Sequence, residues 1–378
     1  MALRCQETMI LDMSFPEVRP QLQSRRTRHA CHSGLQDLSM LPHMTNTDNT
    51  IPLCVDLDGT LIRTDLLWES MVRLLRKNPL FIFALPFWWM QGRARLKAEI
   101  GKRVKVDPSA LPYVAEVLEF IRREAANGRP VFLVTASDAE LARETGKYVG
   151  VFREVLASDG ATNLRGATKA ARLVELFGEK GFDYAGDSSV DFPVWEKARE
   201  AIVVSDKERL RKVATRAFSS SRFSFGALWR AMRPGRWIKN LTVFVPILAV
   251  HKWGNSEVWL RATVAFVAFC LCASGMYILD DIADLEADRR DPIKKQGPFA
   301  SGELFLPFGL FGGPILVALG AVVGLWLSWK FVVVLGMYVV LATGFSSKLM
   351  RMAPVKVLRV AGLYVIRLVA GYVATGFP

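Results

Sequence analysis

Residues 51–60 read Ile51-Pro52-Leu53-Cys54-Val55-Asp56-Leu57-Asp58-Gly59-Thr60, a short apolar run that delivers two carboxylates and a glycine into a turn. A run of this length bounded by turn residues fits a buried strand. Two carboxylates this close at a buried strand end repel each other unless a divalent cation offsets them. Mg2+ there would also screen the charge of an incoming phosphate. Working outward, residues 111–127 predict a helix, 130–135 a strand and 138–149 a second helix. Residues 182–185 predict a strand that runs into Gly186-Asp187-Ser188-Ser189-Val190-Asp191, and 201–204 a last strand. Such alternation predicts an α/β domain over residues 50–215, its parallel sheet covered on both faces. Asp187 and Asp191 then meet Asp56 and Asp58 at the sheet edge where α/β ligands bind. Thr135 ends the middle strand with a hydroxyl for a phosphoryl oxygen, and Lys169 is the candidate cation for the transition state. Lys180, closer to the last acidic motif, is the rival for that role.

In that order, Asp56-Leu57-Asp58-Gly59-Thr60, Val134-Thr135-Ala136-Ser137, Lys169 and Gly186 to Asp191 resemble the four motifs of the haloacid-dehalogenase-like (HAD-like) phosphatases, whose domain is Rossmann-like. The resemblance implies that Asp56 is the nucleophile forming an aspartyl-phosphate. It implies that Asp58 protonates the leaving alcohol and then activates water. Thr135 and Lys169 would hold phosphate. Asp56, the backbone carbonyl of Asp58 and Asp187 would ligate Mg2+, with Asp191 in support.

The remainder of the chain is different in kind. Of 378 residues 51% are hydrophobic, and the formal net charge is +13. Neither is spread evenly. From about Val258 nearly everything is apolar, and residues 205–239 hold ten Lys/Arg against two acidic residues. A basic cluster just before a membrane-length apolar run points to the cytoplasmic face of a bilayer rather than to nucleic acid. Five spans are expected, at 237–253, 258–279, 304–328, 331–345 and 357–375, preceded by a basic linker at 216–236. On the cytoplasmic side the connecting loops carry Arg289, Arg290, Lys294, Lys295, Lys348, Arg351 and Lys356, against Lys252, Arg261 and Lys330 opposite. The count fits an inside N-terminus. Residues 79–90 form an apolar run too short to span, expected as a cap element lying on the membrane surface. Residues 1–49 read as a disordered tail; His29, Cys31, His32 and His43 there complete no metal site. The five cysteines, Cys5, Cys31, Cys54, Cys270 and Cys272, show no paired spacing and are expected to be reduced.

The second expected span ends in Asp280-Asp281-Ile282-Ala283-Asp284-Leu285-Glu286-Ala287-Asp288. Asp281, Asp284 and Asp288 are spaced to share one helical face. A helix C-terminus disfavours such a cluster unless a cation such as Mg2+ binds there and carries a diphosphate. Lys294 on the next loop would take remaining phosphate charge. The stretch resembles the first acidic motif of the UbiA-type membrane prenyltransferases, with Asp280 where that family has Asn. Arg233 to Asn240, with Trp237 and Lys239, together with Pro298 to Glu303 and Ala361 to Gly371, are similar to the decaprenyl-phosphate phosphoribosyltransferase branch. That resemblance implies attack of polyprenyl phosphate on phosphoribosyl diphosphate, with Lys239 and Lys294 as phosphate contacts, in a bacterial inner membrane. Arg367, in the fifth expected span, is costly in lipid and is expected to face the bundle interior. Gly297 stands where the family has an arginine. The chain stops at Pro378, before the further helices and second acidic motif of the family, so the expected UbiA-like bundle is incomplete. The missing half comes from a second polypeptide, or the chain is truncated, or the bundle only anchors. The combined expectation is a membrane enzyme making a polyprenyl-phosphate-linked pentose for arabinosylation of glycans or nodulation signals. Alternatives are a phosphatase on an inactive anchor and an aromatic prenyltransferase.

Overall fold

Strand β1 (Leu53–Val55) is central and wholly buried, as its Leu-Cys-Val sequence requires. After it the chain forms α1 (Leu66–Lys77), a 3-10 turn at Pro79–Phe83, α2 (Ala84–Met90), α3 (Arg93–Gly101) and α4 (Ala115–Ala126). Next come β2 (Val131–Asp138), α5 (Ala139–Val149), β3 (Glu154–Ser158), α6 (Ala167–Phe177) and β4 (Asp183–Gly186). The domain ends with α7 (Phe192–Lys197), β5 (Ala201–Val204), α8 (Glu208–Arg211) and β6 (Arg216–Phe218). The six strands lie in the order β3-β2-β1-β4-β5-β6, and every pairing is parallel. Parallel strands need crossovers, which put helices on both faces and bury the sheet. This computed structural model describes residues 51–158, 163–220, 223–251, 254–343 and 353–376. The tail at 1–49, Lys252, Lys348 and Arg351 lie outside the described residues, as does the Lys356 side chain.

Two expectations need correcting here. The sheet runs on to Phe218 through β6, and 225–232 is a helix, α9 (Phe225–Met232), so residues 216–236 are not a plain linker. The strands at 154–158 and 216–218 are short and largely uncovered, and lack the continuous apolar run that marks β1 and β5.

The second part is helical: a 3-10 stretch Pro234–Phe244, α10 (Val245–Ala249), α11 (Ser256–Ala283), α12 (Leu285–Arg290), α13 (Leu306–Leu325), α14 (Trp329–Thr343) and α15 (Ala353–Thr375). Three helices, at Ser256–Ala283, Leu306–Leu325 and Val357–Thr375, are long and apolar enough to cross a membrane. The first expected span is not one α-helix, because eleven residues of 3-10 helix, Pro234–Phe244, are followed by only five of α-helix, Val245–Ala249. Trp329–Thr343 is apolar but only 15 residues long. Helices α11 and α13 meet through small residues: a Cβ on Gly275 would fall 2.5 Å from the Gly313 carbonyl oxygen. Close backbone approach through glycine is how helices associate where lipid gives no hydrophobic drive.

The two parts are bolted together by charge. Arg289 of α12 donates from Nη2 and Nη1 to both carboxylate oxygens of Glu69 on α1, at 2.7 and 3.0 Å. Both side chains are almost fully buried, at 4% and 1% exposure. Thr64 Oγ1 donates to Glu69 at 2.8 Å, and Arg289 Nε donates to the Ala300 carbonyl at 3.0 Å. Arg73–Glu286 and Asp107–Arg290 are further pairs across the joint. Gly302, at φ +75°, lies so close to Arg63 that a Cβ there would sit 2.6 Å from the Arg63 Cβ. Trp68 meets Phe305 and Phe311 edge-on. Removing one member of a buried pair strands the other charge, at about 3–5 kcal/mol, whereas replacing both is far milder. Arg289→Met is therefore expected to lower the thermal midpoint of the detergent-solubilised protein sharply. Glu69→Leu combined with Arg289→Met should recover most of it; a double variant as unstable as the single would contradict this.

Candidate active site

At the C-terminal edge of the sheet, β1 delivers Asp56 and Asp58, and the turn after β4 delivers Asp187 and Asp191. Asp56 Oδ1 accepts from the Leu57 amide at 2.8 Å and lies 3.1 Å from Lys169 Nζ. Both contacts fall on one oxygen, Oδ1. Lys169 is carried by α6, is itself buried, and donates to the Tyr184 hydroxyl at 2.7 Å. Lys180 instead donates to the carbonyls of Glu196 and Ala198, which assigns the cation beside Asp56 to Lys169.

Asp58 faces differently. Its Oδ1 accepts from the Leu66 amide at 2.8 Å, and its Oδ2 accepts from the Ser137 hydroxyl. Burial, reinforced by the negative charge of Asp65, raises its carboxyl to about 8. Burial likewise lifts Asp56, to about 6, against the pull of Lys169. A carboxyl that keeps its proton near neutrality suits an acid, and one lower beside it suits a nucleophile.

Ligand atoms of Asp56, Asp187 and Asp191 all lie within 4.8 Å of one another. This all-oxygen donor set fits a hard divalent cation. Asp191 is already the most engaged of the three: its oxygens accept from Tyr184 Oη, Ser188 N, Ser188 Oγ and the Asp187 amide. It therefore braces the loop that presents Asp187. The Asp58 side chain is turned toward Ser137 and Leu66, away from this cluster.

Thr135 departs from expectation. It is fully buried, its hydroxyl oxygen accepts from the Ser137 amide at 3.0 Å, and it does not line the cavity. The strand bulges past it, so the hydroxyl that reaches the aspartates is Ser137. The cavity, about 430 Å³, is lined by Asp56, Asp58, Lys169, Asp187 and Asp191, and also by Lys97, Asn163, Arg165, Trp68 and Trp89. Lys97 Nζ donates to the Ala136 carbonyl at 2.6 Å. These last residues carry no spacing signal that would find them in the sequence.

A second polar cavity, of about 900 Å³, opens at the end of α11. Asp280, Asp281, Asp284, Asp288 and Lys294 line it, with Arg230, Arg233, Arg236 and Arg359. The three spaced aspartates do not share one continuous helix. α11 ends at Ala283, Asp284 leaves helical geometry at φ −97° and ψ 8°, and Asp288 belongs to α12. Among the described residues their oxygens form no close metal cluster. Asp281 instead pairs with Arg233, and Asp288 with Lys294 at 3.1 Å. Lys239 is exposed and does not line this cavity, because the 3-10 stretch turns it outward; the nearby cations are Arg233 and Arg236. Gly297 lines the cavity with backbone only.

Arg367 is buried, at 4% exposure, and it donates to neutral groups. Nε donates to Asn240 Oδ1 at 2.9 Å, Nη1 to the Leu363 carbonyl and Nη2 to Tyr338 Oη at 3.2 Å. Cys54, Cys270 and Cys272 are buried free thiols.

Residues 53–196 match the haloacid dehalogenase-like hydrolase family, and residues 241–377 match the UbiA prenyltransferase family. An uncharacterized protein, y4nM, of Sinorhizobium fredii is 35% identical over 87% of this chain and 65% of its own length. The decaprenyl-phosphate phosphoribosyltransferase of Mycolicibacterium smegmatis is 34% identical over 40% of this chain and 49% of its own. The nodulation protein NoeC of Azorhizobium caulinodans is 33% identical over 42% of this chain and 52% of its own. The chain thus spans about half to two thirds of the length of these relatives. Its two matched stretches are thus similar to a haloacid dehalogenase-like hydrolase, over residues 53–196, and to the UbiA prenyltransferase family, over residues 241–377.

Proposed function

We propose that the chain builds a polyprenyl-phosphate-linked pentose in two steps, transfer at the membrane cavity and dephosphorylation at the sheet edge. The observation that carries this reading is the docking of the α/β domain on the helical part through the buried Glu69–Arg289 pair. In the first step an oxygen of polyprenyl phosphate bonds to the anomeric carbon of phosphoribosyl diphosphate as the bond to diphosphate breaks. Arg230, Arg233, Arg236 and Lys294 supply the cationic lining for a diphosphate. Asp281, Asp284 and Asp288 would have to exchange their present cation partners for Mg2+ to hold it there. The product keeps a 5-phosphate that a sugar donor must lose.

In the second step Asp56 Oδ2 attacks phosphorus and the ester oxygen leaves with the proton of Asp58. Asp58 then takes a proton from the water that cleaves the aspartyl-phosphate, and inorganic phosphate departs. Lys169 holds Asp56 in place and balances its charge. Ser137 and the Leu66 amide fix the direction of Asp58. Mg2+, held by Asp56, Asp187 and the backbone carbonyl of Asp58 with Asp191 in support, would neutralise charge between nucleophile and phosphate when bound. The name of the decaprenyl-phosphate phosphoribosyltransferases supports this substrate class, and that of the nodulation protein NoeC supports a role in nodulation. The positive-inside count supports a bacterial inner membrane with the hydrolase domain in the cytoplasm.

Membranes containing the full chain are incubated with polyprenyl phosphate, labelled phosphoribosyl diphosphate and Mg2+. Labelled lipid that is lost in Asp281→Ala is expected. Its absence, with phosphatase activity intact, leaves the bundle as an anchor. Asp56→Asn should lower phosphate release by about a thousandfold or more, since no covalent intermediate forms. Saturating Mg2+ should raise the thermal midpoint of the wild type through binding to the folded state, and do so much less in Asp187→Asn. An equal rise in both would remove Asp187 from the cation site.

A further inference from the structure

The segment Pro79–Met90 contains no charged residue and carries exposed Leu80, Ile82, Phe83, Phe87 and Met90, with Phe83 at 79% and Met90 at 85%. An apolar surface this concentrated on one short segment marks an interaction site. Its inner side is satisfied: Phe81, Leu85 and Trp88 pack against the cluster of Leu96, Ile100 and Val104, and Leu310 of α13 packs against that same cluster. The shared cluster sets its level. Helix α13 has 20 residues, about 30 Å at 1.5 Å per residue, which is the full thickness of a hydrocarbon core. With α13 crossing the bilayer, its first turn around Leu306–Leu310 lies at the boundary, and the segment shares a cluster with that turn. Phe308, Phe311 and Ile315 of α13 are likewise exposed.

The chemistry around the segment suits a headgroup layer. Six basic residues, Arg73, Arg76, Lys77, Lys102, Arg103 and Lys105, outnumber the four carboxylates of Asp138, Glu140, Glu144 and Glu286 in the lining of a nearby cavity of about 720 Å³. The Arg103 guanidinium lies 4.9 Å from the centre of the Trp88 ring. Basic residues flanking an aromatic apolar face are the pattern of an interfacial element on anionic lipid. At the other end of the same segment, Trp89 lines the cavity that holds Asp56 and Lys169.

We infer that Pro79–Met90 is seated in the interface of an anionic bilayer, and that this seating turns the hydrolase cavity to the lipid so that it takes phosphate monoesters carried by a membrane lipid. The inference rests on the phosphatase reading given above. Hydrolysis of such an ester breaks its phosphorus–oxygen bond, water supplying the new phosphate oxygen and the proton of the released alcohol.

The test uses the full chain in vesicles of phosphatidylcholine and phosphatidylglycerol. In the double variant Phe83→Ser and Phe87→Ser, hydrolysis of vesicle-borne prenyl-phosphoryl-ribose 5-phosphate is expected to fall about tenfold or more. Hydrolysis of p-nitrophenyl phosphate in solution should stay within about twofold, since neither side chain touches the aspartates. Equal loss on both substrates, or no loss on either, overturns the inference. Location is read separately, with an environment-sensitive dye on Phe83→Cys in a chain carrying Cys5→Ser and Cys31→Ser. Blue-shifted emission quenched by lipid-borne quenchers supports the seating; water-like emission overturns it without any turnover. Asp56→Asn in the same vesicles should abolish p-nitrophenyl phosphate hydrolysis. If it does not, the phosphatase reading fails and takes the lipid-ester half of the inference with it, whatever the dye reports.

Discussion

A guanidinium and a carboxylate taken out of water together are tolerable only when each finds nearly all of its hydrogen bonds inside the protein. Glu69 and Arg289 meet that condition, with Thr64 and the Ala300 carbonyl completing the set. The pair stands at a junction. Glu69 lies one turn into α1, the helix whose first amide is capped by Asp58. Arg289 follows Asp288, and Ala300 lies in the loop that walls the membrane cavity. Each end of the pair is thus within a few residues of a site, and the geometry of both sites rests on the same buried contact.

The two sites hold their carboxylates by different means. In the hydrolase domain a buried lysine and a ring of backbone amides and hydroxyls engage Asp56, Asp58 and Asp191. These donors come from strands and short turns, and packing leaves them little freedom. In the membrane domain Arg233 and Lys294 arrive from the segments flanking α11 and α12 and pair with the aspartates one by one. A rigid frame suits a site that must aim a nucleophile. Exchangeable ion pairs suit one that must admit a highly charged ligand.

Much of this was legible in the sequence, and the reasons are local. Buried parallel strands announce themselves as apolar runs, which is why 201–204 is both expected and observed as β5. The acidic motifs fall at strand ends, where side-chain direction follows from the strand itself. Thr135 misled because the strand bulges after it, and Ser137 rather than Thr135 donates to Asp58. Lys239, placed at the phosphate only by resemblance, is exposed on an eleven-residue 3-10 stretch and lies off the cavity lining. The Asp281, Asp284 and Asp288 spacing gave the right cavity but the wrong helix, since nothing local marks the break at Asp284. The Glu69–Arg289 contact joins residues 220 positions apart, and no periodicity reports such a pair.

The joint also says something about inheritance. Three of the four charges along α12, Glu286, Arg289 and Arg290, are answered from the hydrolase domain by Arg73, Glu69 and Asp107. A foreign hydrolase domain placed on this bundle would set like charges against each other at one or more of these positions. Any side chain at residue 302 would also strike Arg63. The two halves can therefore diverge freely in their catalytic loops but must be passed on as a matched set at their seam, more like a lock and its key than like interchangeable modules.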